Sequence, residues 1–129
     1  MATLRDSRVV AVLAVDDIER AKAFYRDKLG LQVDPAGYDT GSAIVRAGGQ
    51  SWLLLYSTGF KHGETTTASF LVADIETTVD ELRAKGVTFE DYDLPGLTTV
   101  DGIASVGDLK AAWFKDSEGN TIALSQGEM

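Results

Sequence analysis

Ala111-Ala112-Trp113-Phe114-Lys115-Asp116-Ser117-Glu118-Gly119-Asn120-Thr121-Ile122-Ala123-Leu124-Ser125 consists of an apolar run, a polar turn cluster and a second run in which apolar and polar residues alternate. The pattern predicts a β-hairpin. Asp116 and Asn120 can bond nearby backbone, and Gly119 supplies positive φ at no steric cost, so the chain reversal has a physical cause. The question of chemistry falls just past the turn, at Ala123.

Upstream of this hairpin the same order of elements occurs twice. Val9 to Val15 is valine-rich and bounded by polar residues, which predicts a strand buried on both faces. Asp16, with Glu19 three residues on, predicts a capped helix start, and Ile18, Ala21, Tyr25 and Leu29 recur at helical spacing until Gly30 ends the helix. Short strands are expected from Leu31 to Val33, from Ser42 to Ala47 and from Ser51 to Ser57, broken at Pro35-Ala36-Gly37 and turned at Gly48-Gly49. A polar connector follows. Ala68 to Ala73 then reads as a strand, Asp74 caps a helix with the stripe Ile75, Val79 and Leu82, and Gly86 closes it before a strand from Val87 to Tyr92. Pro95-Gly96 opens a Gly-containing loop to about Gly107, either a lid over a cavity or a tolerated insertion.

The chain is therefore an internal repeat of two β-α-β-β-β units. Matching the helix starts sets Asp17 against Asp74, Gly30 against Gly86 and Val10 against Thr67; matching the hairpin glycines, Gly49 and Gly119, sets Leu53 against Ala123. Each half offers a sheet too exposed to stand alone, so the two sheets are expected to enclose a shared cavity.

At 129 residues the chain is read as a single domain, with modules at about 8–57 and 66–127 joined by a connector at 58–65. It has no cysteine, which excludes disulfides, thiolate ligands and cysteine nucleophiles and fits a reducing compartment. The longest apolar run, Val9 to Val15, is far below the roughly 20 residues of a membrane span, and the first six residues do not read as a signal peptide. A soluble, cytoplasmic protein is expected. Twenty acidic against 12 basic residues give a formal charge of −8, which disfavours nucleic acid and would welcome a cationic small ligand, although solubility alone accounts for it.

Four segments together resemble one superfamily: Val15-Asp16-Asp17-Ile18-Glu19-Arg20-Ala21, Phe24-Tyr25-Arg26-Asp27-Lys28-Leu29-Gly30, Val72-Ala73-Asp74-Ile75 and Phe114-Lys115-Asp116-Ser117-Glu118-Gly119-Asn120. In this order they are similar to the vicinal oxygen chelate proteins, the glyoxalase, bleomycin-resistance and extradiol dioxygenase family. The resemblance implies an α+β fold with two βαβββ modules forming a cupped mixed sheet, often in a homodimer whose cavities are completed by swapping or close pairing. It also implies where a metal would sit. Metal-dependent members place a ligating residue seven positions before the helix-start Asp in each half, and Glu four positions after the hairpin Gly, here Val10, Leu53, Thr67 and Ala123. Three of these are hydrocarbon and a lone hydroxyl cannot hold a divalent ion, so no metal and no cofactor are expected.

By strand alternation, Val12 shares a face with Val10, Leu55 with Leu53, Ser69 with Thr67 and Ser125 with Ala123. Ala111 and Trp113 join them by resemblance to fosfomycin-resistance members. The predicted ligand-binding set is thus Val10, Val12, Leu53, Leu55, Thr67, Ser69, Ala111, Trp113, Ala123 and Ser125, an apolar pocket with hydroxyls and an indole, suited to a flat guest. The same residues could instead fill a core. Trp52 and Tyr56, of opposite parity, are expected under the helices, and the facing of Arg46 is open. His62 is the only histidine and an available general base, yet beside Lys61 and Gly63 it reads as a solvated loop residue. Asp16 and Asp17 look like a catalytic pair but stand at a helix start, where they cap. No catalytic residue is assigned. The expected function is binding or sequestration of a small aromatic or cationic molecule, as in metal-free antibiotic-resistance members; the alternatives are a metal-independent or metal-dependent lyase, isomerase or dioxygenase.

Overall fold

The computed structural model describes residue 5 and residues 9–34, 41–57 and 65–127. The first half runs β1 (Ala11–Val15), α1 (Ile18–Ala23) with a π-helical continuation over Phe24–Lys28, β2 (Gln32–Asp34), β3 (Ser42–Arg46) and β4 (Trp52–Ser57). The second runs β5 (Thr66–Leu71), α2 (Ile75–Ala84), β6 (Asp93–Leu94), β7 (Leu97–Val100), β8 (Ile103–Val106), β9 (Leu109–Lys115) and β10 (Thr121–Gln126). Two mixed sheets result, a four-stranded one in the order β1-β4-β3-β2 and a six-stranded one in the order β5-β10-β9-β8-β7-β6. β1 pairs with β4, and β5 with β10, in parallel, while every other pairing is antiparallel. This is the α+β architecture that the repeat implies. The Pro35-Ala36-Gly37 break and the connector with Lys61 and His62 lie outside the described residues. Among the described residues no helix is long and apolar enough to cross a membrane.

Local chemistry sets both helices. The cap of α1 is Asp17, whose carboxylate accepts from the Arg20 amide at 3.1 Å, rather than Asp16. Asp74 does the same for α2 through the Thr77 amide at 3.1 Å, and the stripe Ile75, Val79 and Leu82 is buried as the spacing requires. Gly30 and Gly86 both have positive φ just beyond their helices.

Three sequence expectations need correcting. β1 is an edge strand buried on one face only: Leu13 and Val15 are inside, while Val12 on the other face is 56% exposed. The region after Pro95 is no lid loop, because most of it forms β7 and β8, which extend the second sheet around a tight turn at Asp101 (φ 56) and Gly102 (φ 82). The strand expected from Val87 to Tyr92 is reduced to a single bridge between Phe89 and Phe114.

One core serves both modules. Leu13, Val45 and Leu55 of the first sheet and Ala112, Phe114, Ile122 and Leu124 of the second belong to the same buried cluster as Tyr25, Val79 and Leu82. Each sheet thus turns its helix-bearing face inward and its other face away, so the expected cavity between the sheets is replaced within one chain by packed side chains. Phe114 joins the halves through a ring contact with Phe24 at 6.5 Å and is backed by Phe89 of its own module at 5.4 Å.

A polar clamp reinforces this seam. The buried Glu118 carboxylate accepts from the Asp16 and Asp17 amides at 2.9 and 2.8 Å, from Arg20 at 2.7 and 3.1 Å and from the Ser117 hydroxyl at 2.8 Å. Burial alone would raise its pKa, but the Arg20 guanidinium, the Asp17 amide, the Ser117 hydroxyl and the Asp16 amide outweigh that and hold it at about 2. Tyr25 donates its buried hydroxyl to Asp116 at 2.7 Å, and Asn120 donates to the Ala14 carbonyl at 2.8 Å. Desolvation and then the Asp116 charge push the Tyr25 phenol well above its ordinary range.

Candidate functional site

The faces turned away from the core carry the candidate site. In the first sheet the register of β1, β4 and β3 sets Val12 beside Leu54, Leu54 beside Ile44, and Trp52 beside Arg46, with Tyr56 further along. In the second, Ala123 lies between Trp113 and Ser69, Thr121 is paired with Lys115, and Ser125 is paired with Ala111 on one side and Leu71 on the other. These faces are apolar in the main and partly open to solvent. Val12, Tyr56 and Leu71 are exposed, whereas Trp52, Leu54, Ala111 and Trp113 are half-buried.

Of the predicted set, Val12, Ser69, Ala111, Trp113, Ala123 and Ser125 stand on these open faces, with Val10 in step with them by alternation and Thr67 at a β-bulge, between Thr66 paired to Thr121 and Ala68 paired to Ile122. Leu53 and Leu55 do not. They are 8% and 0% exposed and pack in the core, while Trp52 and Tyr56, expected beneath the helices, are on the open face. The cause is a slip of one residue. Both module hairpins close with equal loops, Arg46 paired to Trp52 and Lys115 paired to Thr121, so the counterpart of Ala123 is Leu54. Since strand side chains alternate, a shift of one moves every residue to the other face.

With that register the positions corresponding to the ligand set of metal-dependent relatives are Val10, Leu54, Thr67 and Ala123. Hydrocarbon side chains have no lone pair to donate and one neutral hydroxyl is too few, so these residues do not fit a divalent metal. Among the described residues no group of three His, Cys, Asp or Glu side chains is placed to hold one.

A cleft of about 460 Å³ opens where the start of β4 meets β5, lined by Trp52, Leu53, Ser51, Ser69, Phe70 and Leu71 among others. It is of the size that takes a small organic molecule, with hydrocarbon walls and a few hydroxyls. Ser69 and Ser125 bond each other at 2.8 Å on the adjoining open face.

Two residues of the site, Tyr92 and Lys115, are not among the sequence candidates. Tyr92 packs edge-on against Trp113, with ring centroids 5.4 Å apart and planes at 80°. It arrives there because its amide and carbonyl bond Thr99 of β7, a pairing that no periodicity announces. Burial, with help from the Glu90 carboxylate, raises the Tyr92 phenol above its ordinary value. Lys115 was detectable, since the alternation of Ala111 and Trp113 continues to it. Its ammonium donates to the Thr121 hydroxyl at 2.7 Å. Arg46, whose facing the sequence leaves open, stands on the open face paired with Trp52 and is held by Asp34 at 2.8 Å.

Residues 8–124 match the family described as the Glyoxalase/Bleomycin resistance protein/Dioxygenase superfamily. No curated protein matches the chain. Similar solved structures include UcmS2, with a TM-score of 0.72 and 21% identity over 92% of this chain and 97% of that one. TnmS3, an antibiotic binding protein from Streptomyces sp. CB03234, gives 0.68 and 20% over 95% and 98%. Lactoylglutathione lyase from Agrobacterium tumefaciens gives 0.67 and 19% over 97% and 96%. At these identities the likeness is one of fold.

Proposed function

Because the chain belongs to the glyoxalase, bleomycin resistance protein and dioxygenase superfamily, we propose that it binds a small aromatic molecule on its open sheet faces without a metal. The observation that carries this reading is the aromatic pair of Trp113 and Tyr92, half-buried above a floor of Ala123 and Thr121. An indole held edge-on by a phenol is a rigid surface for a flat guest. Two features support sequestration over metal chemistry: the hydrocarbon at Val10, Leu54 and Ala123, and the antibiotic-binding description of TnmS3. The faces also argue against the cationic guest that net charge invites. Along the described strands their charged side chains are Lys115 and the Arg46–Asp34 pair, so the acidic excess lies elsewhere.

Each face is open in a single chain, and in this reading a second copy covers it to make a closed pocket, which gives a homodimer. The test is a thermal-shift screen of purified, tag-free protein against planar aromatic compounds, with and without divalent metal, after elemental analysis. Stabilisation by a compound alone, with affinity reduced about tenfold in Trp113→Ala, is expected for a buried aromatic anchor. Stoichiometric bound metal, or stabilisation only when metal is added, would overturn the reading.

A further inference from the structure

Lys115 is the charged side chain that the second open face presents, one place along β9 from Trp113 on the same side. Alternate residues of a strand lie about 7 Å apart, so the ammonium and the indole can engage two ends of one small molecule. The ammonium has three N–H donors and gives one to the Thr121 hydroxyl at 2.7 Å, which fixes its direction and leaves donors for a ligand. A basic residue at this position is a feature of both modules, because Arg46 occupies the matching place, paired across from Trp52 as Lys115 is from Thr121. The two are not equivalent in charge. Arg46 is neutralised by Asp34 at 2.8 Å, whereas Lys115 has only a hydroxyl. Lys115 also lines a hollow of about 380 Å³ with Lys28, Glu90 and Asp116. That hollow brings two ammonium groups together with two carboxylates, so the preference for an anion rests on Lys115 beside Trp113.

The geometry points to a planar aromatic anion as the ligand of the second open face, its ring against Trp113 and Tyr92 and its carboxylate or other oxyanion on Lys115. This assignment rests on the aromatic-binding reading above and adds the charge of the guest. A charge-assisted hydrogen bond is about twice as strong as a neutral one, so the anionic group is what selects among flat molecules of equal size. Glu90, whose amide donates to the Trp113 carbonyl at 2.8 Å, opposes the anion and sharpens the test.

The experiment compares three probes with one ring system, 2-naphthoate, 2-naphthamide and 2-naphthylmethylammonium, titrated calorimetrically at neutral pH against the wild-type protein and Lys115→Met, Lys115→Arg, Glu90→Gln and Trp113→Ala. Naphthoate is expected to bind at least about fivefold tighter than the amide, with the advantage lost in Lys115→Met, retained in Lys115→Arg and increased in Glu90→Gln. Equal affinity for the three probes, a preference for the ammonium, or a naphthoate advantage that survives Lys115→Met would overturn the assignment. In those cases an affinity reduced about tenfold in Trp113→Ala leaves the aromatic reading standing. Absence of binding by every probe overturns both. Lys115 is exposed, so an unchanged melting temperature in Lys115→Met shows that the fold is intact.

Discussion

Replacing Glu118 by glutamine removes one buried charge while keeping the shape of the side chain that holds the modules together. A carboxyl group that ordinarily titrates at 4.5 and is held at about 2 in the folded chain corresponds to about 3 kcal/mol of stability at neutral pH. Arg20, its charged partner, has a side chain 54% exposed, so solvent screens part of the attraction and about 2 kcal/mol is the expected loss in Glu118→Gln. For 129 residues that lowers the melting temperature by about 7 °C. The sign with pH follows from the direction of the shift. A depressed carboxyl pKa contributes fully above about 4.5, and the contribution drains away as pH falls from there towards 2. Wild type and Glu118→Gln should therefore melt about 7 °C apart at pH 7 and converge as pH approaches 2, by circular dichroism across a pH series. Equal melting at pH 7, or a gap that stays constant down to pH 2, would refute the account of Glu118 as an ionised clamp.

Two further outcomes follow from other contacts. Tyr25→Phe leaves the Asp116 oxygen that accepted its hydroxyl with the Asn120 amide as its remaining donor and should cost about 1 kcal/mol in urea unfolding; the same variant should leave the alkaline tyrosinate absorbance of the folded protein unchanged, because the Tyr25 phenol is pushed above its ordinary range. Ala123→Glu should not confer micromolar affinity for zinc or manganese by calorimetry, since one carboxylate beside Trp113 and Ser69 supplies a single ligand where three or more are needed; micromolar binding would show that neighbouring groups complete a site.

The fold was legible in the sequence because its signals are local and occur twice. Asp74, the stripe of Ile75, Val79 and Leu82, and Gly86 mark one helix without reference to anything distant, and the turn from Asp116 to Asn120 marks its hairpin in the same way. The site was legible only in part, and the losses have specific causes. Aligning Gly49 with Gly119 put two hairpins one residue out of register, because glycine occurs at different places in loops of equal length. That single residue moved Leu53 and Leu55 to the wrong side of β4. Tyr92 reaches Trp113 through backbone bonds to Thr99, which depend on how a hairpin folds back and leave no periodic trace. Moreover, three of the four blocks that carry the family resemblance turn out to form the seam between modules, where Tyr25, Asp116, Glu118 and Asn120 bond across it. They report how the halves join and are silent about what the open faces hold.

The clamp has a consequence for the order in which the protein can be made. Glu118 completes the amino end of α1 from about 100 positions downstream, and Asn120 bonds the Ala14 carbonyl from 106. β10, from the same hairpin, also supplies the parallel neighbour of β5. During synthesis the first module therefore emerges with the Asp16 and Asp17 amides lacking their Glu118 acceptor and with Phe24 lacking its contact to Phe114. Neither module has all its native partners before the last hairpin is made, so the closing contacts of the fold are those of longest sequence separation.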